Sequence, residues 1–186
     1  MQRLWSASLE WDEQIPDEIA ANWKQFCTQL PLLRNLRVPR FIFVQNVVEI
    51  HFHVFCDASE SAYGTCIYAR SIDASDNIKT ELITSNSRVA PLKRISLPRL
   101  ELCAALLGAK LYHKTSCALR MEDTPCWFWS DSTVTLYWIQ APSNKSHTFI
   151  GNRTAEIQRL TCNNNWNHIK ASENPADLAS RGLLPT

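Results

Sequence analysis

The chain has 186 residues, 45% of them hydrophobic and 20% charged, with 7 Trp and 7 Phe that need burial. That composition excludes intrinsic disorder and fits one compact domain with an extension. Nineteen Lys and Arg against 18 Asp and Glu leave a formal net charge of +1, so the chain is no polycation and any nucleic-acid binding must come from local patches.

Ile15, Ile19, Trp23, Phe26, Cys27 and Leu30 recur at helical spacing, and Pro16, Asp17 and Glu18 suit a first turn. A helix is therefore predicted over about 16–30, ended by Pro31, with an apolar stripe that needs a partner surface. An extended stretch through Leu36 to Arg40 follows, and the boundary is placed near residue 45. This divides the chain into an N-terminal connection segment, 1–45, and one domain, 46–186.

Beyond the boundary the pattern turns to strands: His51 to Cys56, Ala62 to Ala69, and Lys79 to Ser85. Their connections at 60–62 and 70–78 suit an antiparallel meander. A helix opens near Ser96 and Pro98 and runs apolar through Leu100, Leu102, Ala104, Ala105, Leu107 and Leu111. Pro125 to Ser130 reads as a short buried strand, then come helices at about 132–140 and 149–160, a strand at Trp166 to Ile169, and a short helix opening at Asn174-Pro175. Three antiparallel strands followed by α/β crossovers predict an α/β fold, a mixed five-stranded sheet with helices on both faces.

Seven cysteines (27, 56, 66, 103, 117, 126, 162) form no CxxC pair and no zinc spacing, and most sit in apolar runs. They read as small buried hydrophobes in a reducing compartment. No apolar stretch is long enough to span a bilayer and no signal-peptide pattern opens the chain. The expectation is an intracellular, cytoplasmic protein that is not secreted and meets no membrane. The sequons Asn144-Lys145-Ser146 and Asn152-Arg153-Thr154 then carry little meaning.

Four acids stand out, each with an ordinary explanation. Asp57 closes the first strand and could form a turn; Glu101 falls in the first turn of an apolar helix, where any Glu favours the dipole. Asp131 follows Trp129-Ser130 and could cap a helix, and Asn174-Pro175-Ala176-Asp177 could be a capping box. Taken together, all four fall at strand ends or helix starts that the topology brings to one side of the sheet. Acids so placed repel unless a cation neutralises them, and oxygen ligands select Mg²⁺ or Mn²⁺. Two such ions activate water and stabilise the leaving oxygen in phosphodiester hydrolysis.

Four runs carry a family resemblance: Phe55-Cys56-Asp57-Ala58-Ser59, Leu97-Pro98-Arg99-Leu100-Glu101-Leu102, Trp129-Ser130-Asp131-Ser132, and Glu173-Asn174-Pro175-Ala176-Asp177-Leu178-Ala179-Ser180-Arg181-Gly182. In this order they resemble the ribonuclease H-like region of BEL/Pao-type LTR retrotransposon polyproteins, over about residues 50–184. The segment with Leu9-Glu10-Trp11-Asp12 and Val38-Pro39-Arg40 resembles the connection that precedes it. The resemblance implies a ribonuclease H-like fold, metal ligation by Asp57, Glu101 and Asp131, and a second metal site completed by Asp177. It also implies an RNA–DNA hybrid substrate, an upstream reverse-transcriptase partner and a place in a virus-like particle. One departure is the lack of a His between Lys170 and Ala176, where some ribonucleases H carry a mobile one. Another is the lack of a reverse-transcriptase Tyr-x-Asp-Asp and an integrase His/Cys motif, which makes the chain a piece of a polyprotein, a degenerate copy or a host gene derived from one.

Other features have plainer explanations. His51 and His53 share a strand face without a third ligand, and Ser59, Ser130 and Ser132 lack a His partner for a triad. Trp127, Trp129 and Trp138 read as core. The basic run contributes Asn86, Arg88, Lys93 and Arg94 as candidate phosphate contacts, with a solvated loop as the alternative.

The leading function is a metal-dependent endonuclease that cuts the RNA strand of hybrids. A non-catalytic nucleic-acid-binding or structural module of a reverse-transcriptase assembly is the alternative. An aspartic peptidase, which the name "Pao retrotransposon peptidase" suggests, lacks the required Asp-Thr-Gly or Asp-Ser-Gly, since Thr133 follows Asp131-Ser132. Integrase-type chemistry would order Asp, Asp, Glu, whereas Glu101 precedes Asp131.

Overall fold

A computed structural model describes residues 4, 9–142, 148–162 and 165–183. The sequon Asn144-Lys145-Ser146 lies outside the described residues. The chain divides into two units, residues 1–39 with 91–94 and 183–186, and residues 40–90 with 95–182.

In the first unit helix α1 spans Asp17–Gln29, with Asp17 and Glu18 in its first turn. The Trp23 and Phe26 rings lie 5.7 Å apart on its surface. Pro31 does not end the helical path. The chain continues as a 3₁₀ helix over Leu30–Asn35 with the proline in its opening turn, where a missing N–H costs no bond.

The second unit is built on strands β1 (Val47–Ala58), β2 (Ala62–Asp73), β3 (Ile78–Val89), β4 (Cys126–Ser130) and β5 (Trp166–His168). They form one five-stranded sheet in the order β3-β2-β1-β4-β5. The β1/β2 and β2/β3 pairs are antiparallel, and β1/β4 and β4/β5 are parallel. Helices α2 (Leu97–Leu119), α3 (Thr133–Gln140), α4 (Thr148–Leu160) and α5 (Asp177–Arg181) complete the unit. This is the ribonuclease H-like architecture expected above: three antiparallel strands, then parallel pairs, with an N-terminal helix.

Several elements differ in extent from the expectation. The first three strands each run 12 residues, because their ends pair along the ladder without burying an apolar face. The supposed loop 70–78 shrinks to a turn around Asp73, whose carboxylate accepts from the Ser75 and Asn77 amides at 2.8 and 3.0 Å. Helix α2 continues to Leu119 and stops where Arg120 takes a left-handed φ of 55°.

Strand alternation sorts β1 into two faces. Phe52, Val54 and Cys56 join Ile67, Leu102, Ala105, Phe128, Ile139, Ile157 and Trp166 in the core. Helix α2 lies on this face so closely that a Cβ on Gly108 would sit 2.5 Å from Cys56 Sγ and 3.2 Å from Val54 Cγ1. The other face carries His51, His53 and Phe55. Trp127 and Trp129 belong here and not to the core: Trp127 stacks on His53 at 5.5 Å and Trp129 on Phe55 at 6.2 Å. Trp138 alone of the three packs against the core. Cysteine burial is also narrower than expected. Cys56, Cys66 and Cys126 are buried, Cys103 is intermediate, and Cys27, Cys117 and Cys162 are exposed.

Candidate active site

The carboxyl end of β1 positions Asp57. Its partner across β2 is Gly64, and Asp57 is a strand residue, only 6% exposed, and not a turn residue. Its side chain points away from α2 and accepts a hydrogen bond from Ser180 Oγ of α5. Gly64 makes this approach possible, since a Cβ there would meet Ala179 Cβ at 2.7 Å.

Glu101 enters from the opposite face of the sheet. Helix α2 begins at Leu97 and has no acid in its first turn, so Glu101 sits one turn further in and makes no dipole contact of the kind expected. Its carboxylate is hydrogen-bonded by the Ser132 side chain. Ser132 is also the N-cap of α3, with its Oγ accepting from the Thr135 amide at 3.2 Å. The cap is therefore Ser132 and not Asp131. Asp131 follows β4, which is parallel to β1, so it lies at the same end of the sheet as Asp57. Its Oδ1 atom is buried without a hydrogen-bond partner.

Asp177 opens α5, and no capping box forms there. The Asn174 side chain is committed elsewhere: its Nδ2 donates to the Cys56 carbonyl at 3.1 Å and its Oδ1 accepts from the Ala176 amide at 3.1 Å. Ser59 Oγ donates to the Ser180 carbonyl at 2.7 Å. These bonds clamp a five-residue helix to the carboxyl end of β1 and place Asp177 beside Asp57. Arg181 Nε donates to Asp177 Oδ1 at 2.6 Å. Asn174, Ser132, Ser180 and Arg181 were not foreseen as site residues, although each lies within a quoted motif.

Electrostatics link the four acids. Burial pushes the Asp57 carboxyl above its ordinary range, Ser180 opposes that, and the charges of Asp131 and Asp177 raise it further. Burial likewise raises Glu101, Ser132 opposes, and Asp131 and Asp57 add to the rise. Carboxylates from β1, α2, α5 and the bend after β4 thus influence one another at one end of the sheet. They are not drawn into a tight cluster, because among the described residues no three His, Cys, Asp or Glu side chains converge closely enough to hold an ion. The donor set nevertheless fits a hard divalent cation. All four side chains offer oxygen, neighbouring charges disfavour ionisation of Asp57 and Glu101, and the unpartnered Asp131 Oδ1 is an acceptor with nothing to accept.

Of the candidate phosphate contacts, Asn86 and Arg88 lie on β3 in the second unit, whereas Lys93 and Arg94 belong to the first. His51 Nε2 bonds Glu49 at 2.6 Å, and His53 Nδ1 accepts from Trp129 Nε1 at 3.2 Å, while His53 Nε2 is buried without a hydrogen-bond partner.

Residues 1–132 match the model of the family described as Pao retrotransposon-like RNaseH-like domain. The match includes Asp57, Glu101 and Asp131, and Asp177 lies past its end. No curated protein matches the chain. Among solved structures, the chain is similar to LC11-RNase H1, isolated from compost by a metagenomic approach and solved in complex with RNA/DNA hybrid. The identity is 13% and the TM-score 0.48, over 73% of this chain and 96% of that one. It is also similar to the N-terminal RNase H domain of a Mycobacterium tuberculosis protein, at 12% identity and TM-score 0.44 over 72% and 91%. RNase H1 of Halobacterium salinarum shares 9% identity at TM-score 0.43 over 72% and 95%.

Proposed function

Because the chain belongs to the Pao retrotransposon-like RNaseH-like domain family, we propose that it is an endonuclease domain of a retrotransposon polyprotein, cutting the RNA strand of RNA–DNA hybrids. Residues 46–186 would carry the chemistry and residues 1–45 the link to a reverse-transcriptase domain. The observation that carries this reading is the mutual influence of Asp57, Glu101, Asp131 and Asp177, beside a buried Asp131 oxygen without a partner.

Asp57, Glu101 and Asp131 would hold Mg²⁺ or Mn²⁺, with Asp177 completing a second site. Two such ions supply an activated water and neutralise the charge on the leaving oxygen. The protein's part is to hold charges that repel one another. Ser180 orients Asp57, Ser132 orients Glu101, and the α5 clamp sets Asp177.

The test is cleavage of a labelled RNA–DNA hybrid with Mg²⁺ or Mn²⁺, using the chain and its Asp131→Asn variant. Loss of one ligand charge should lower cleavage by roughly two orders of magnitude or more, while the fold is kept and stability rises slightly because repulsion is relieved. A chain that cuts no hybrid with either ion, even when extended upstream, would overturn the reading. A non-catalytic binding module is the second reading. Its support is that Asp177 is already paired with Arg181 and that, among the described residues, no three candidate ligands converge. Such a module would bind hybrid and cut nothing before or after the change.

A further inference from the structure

The end of the sheet away from the carboxylates carries a feature that hybrid cleavage does not use. Strand β1 begins before β4 does. Their parallel pairing opens at Phe52 and Cys126, where the Phe52 amide donates to the Pro125 carbonyl at 2.8 Å. Alternate residues of a strand present their main-chain groups to the same side, so Ile50 turns its N–H and C=O toward this edge as well. In a continued parallel ladder the next amide to reach the Ile50 carbonyl would be that of Pro125, which has no N–H. Val48 stands outside the β2 register at a bulge. Residues 48–50 therefore form a short unpaired edge, about 10 Å long.

This edge lies inside a cleft. A volume of about 410 Å³ separates Val47, Val48 and Ile50 from the turn between Arg120 and Pro125 that leads out of α2. Met121 and Pro125 supply apolar walls, and Glu122 and Asp123 set two carboxylates against the one cation of Arg120. The carboxyl end of α2, at Leu119, adds partial negative charge. Donors and acceptors at strand spacing are matched by another extended main chain. The lining asks that this chain carry apolar side chains flanked by cations. The outer strand β3 is a poorer template, because it carries Lys79, Glu81 and Arg88 and a bulge against β2.

The chain itself contains a segment of that kind. After the 3₁₀ helix, Leu36 takes extended angles, φ −67° and ψ 124°, and residues 36–39 belong to no helix or strand. Leu36 and Val38 are 70% and 76% exposed. Arg34, Arg37 and Arg40 flank them, all exposed, and among the described residues none of the three has a side-chain hydrogen bond or ion pair. The segment is as long as the unpaired edge, and its cations complement the acids of the cleft.

We infer that residues 36–38 of one copy add as a short strand to the 48–50 edge of a second copy, with Arg37 and Arg40 against Glu122 and Asp123. Each copy offers one segment and one edge, so two copies can close on each other by exchanging both. The contact is small, and the association is therefore weak and depends on concentration.

Sedimentation velocity of the full chain, from low to high micromolar, should show a shift from monomer toward dimer. Arg37→Glu with Arg40→Glu should raise the dissociation constant at least about tenfold, and Glu122→Lys with Asp123→Lys should do the same. All four positions are exposed, so the fold should be kept, which circular dichroism checks. The quadruple variant exchanges the charges and should recover association to within a few-fold. A fluorescent synthetic peptide of Leu33 to Phe41 tests the main-chain pairing. Alternate amides face the edge, so N-methylation at one of Arg37 and Val38 should weaken peptide binding about tenfold, and at the other should not. A chain that stays monomeric at every concentration, with or without peptide binding, would overturn the inference. So would self-association that ignores both charge pairs, a quadruple variant that does not recover, or equal loss from both methylated peptides.

Discussion

Ser180 lies within hydrogen-bond reach of the Asp57 carboxylate and, at 3.1 Å, of the Asp177 carbonyl. Replacing it with Ala strips a buried carboxylate of its hydroxyl donor, and we expect a loss of about 1–3 kcal/mol in denaturant unfolding at neutral pH. The hydroxyl favours the ionised form of Asp57, so the loss should shrink as the pH falls and the carboxyl protonates. His53 gives the opposite sense to the buried acids. Burial lowers its pKa, with His51 and Arg70 adding to the fall. A group with a depressed folded pKa contributes stability above its unfolded value, near 6.5, and loses it as the pH falls through that region. Melting temperature should therefore drop between pH 7.5 and pH 5.5, roughly spanning the ordinary His value. His53→Phe should flatten that drop, and an unchanged profile would remove His53 from the account.

Helix α5 has five residues, too few to be stable alone, and it holds its place through tertiary bonds. Gly64 is the point of closest approach. Gly64→Ala would force Ala179 back, and we expect about 1–3 kcal/mol of destabilisation. Cleavage should fall by more than the loss of folded protein explains, since α5 carries Asp177; calorimetry beside a cleavage assay separates the two. Element order was legible in the sequence because period-two and helical patterns report which face is buried. Strand ends were not legible, because residues such as Val47 and Ser87 pair along the ladder while staying exposed. The four acids were legible through their motifs, but their immediate partners were not. Ser180 and Asp57 are 123 residues apart, and only the docking of α5 on β1 pairs them. The local explanations for Asp131 and Asp177 failed for the same reason: Ser132 supplied the cap, and Asn174 had turned to the Cys56 carbonyl.

Across the whole molecule the near balance of charge makes the placement of cations matter more than their number. Arg88 and Lys114 carry no side-chain hydrogen bond or ion pair among the described residues, and Lys110 faces only Glu156, which Arg159 already holds, so hybrid affinity should fall with salt along a logarithmic slope of about −3. A titration from low to moderate salt reads this slope, and a value near zero would mean that the phosphates meet no such patch. The acids at the end of the sheet oppose the approach of the same polyanion. Divalent ions should therefore tighten hybrid binding to the Asp131→Asn chain even where nothing is cut, and a chelator should loosen it.

The close seat of α2 on β1 also makes a clock of one thiol. Cys56 lies under Gly108, bonded at 3.7 Å to Thr65, and burial pushes its pKa up to about 12. Cys117 and Cys162 stand exposed. An alkylating reagent should modify those two at once and reach Cys56 only during moments when α2 lifts from the sheet. The same lifting carries Glu101 away from Asp57. The slow phase of Cys56 alkylation would then count, event by event, how often the two halves of the carboxylate site part.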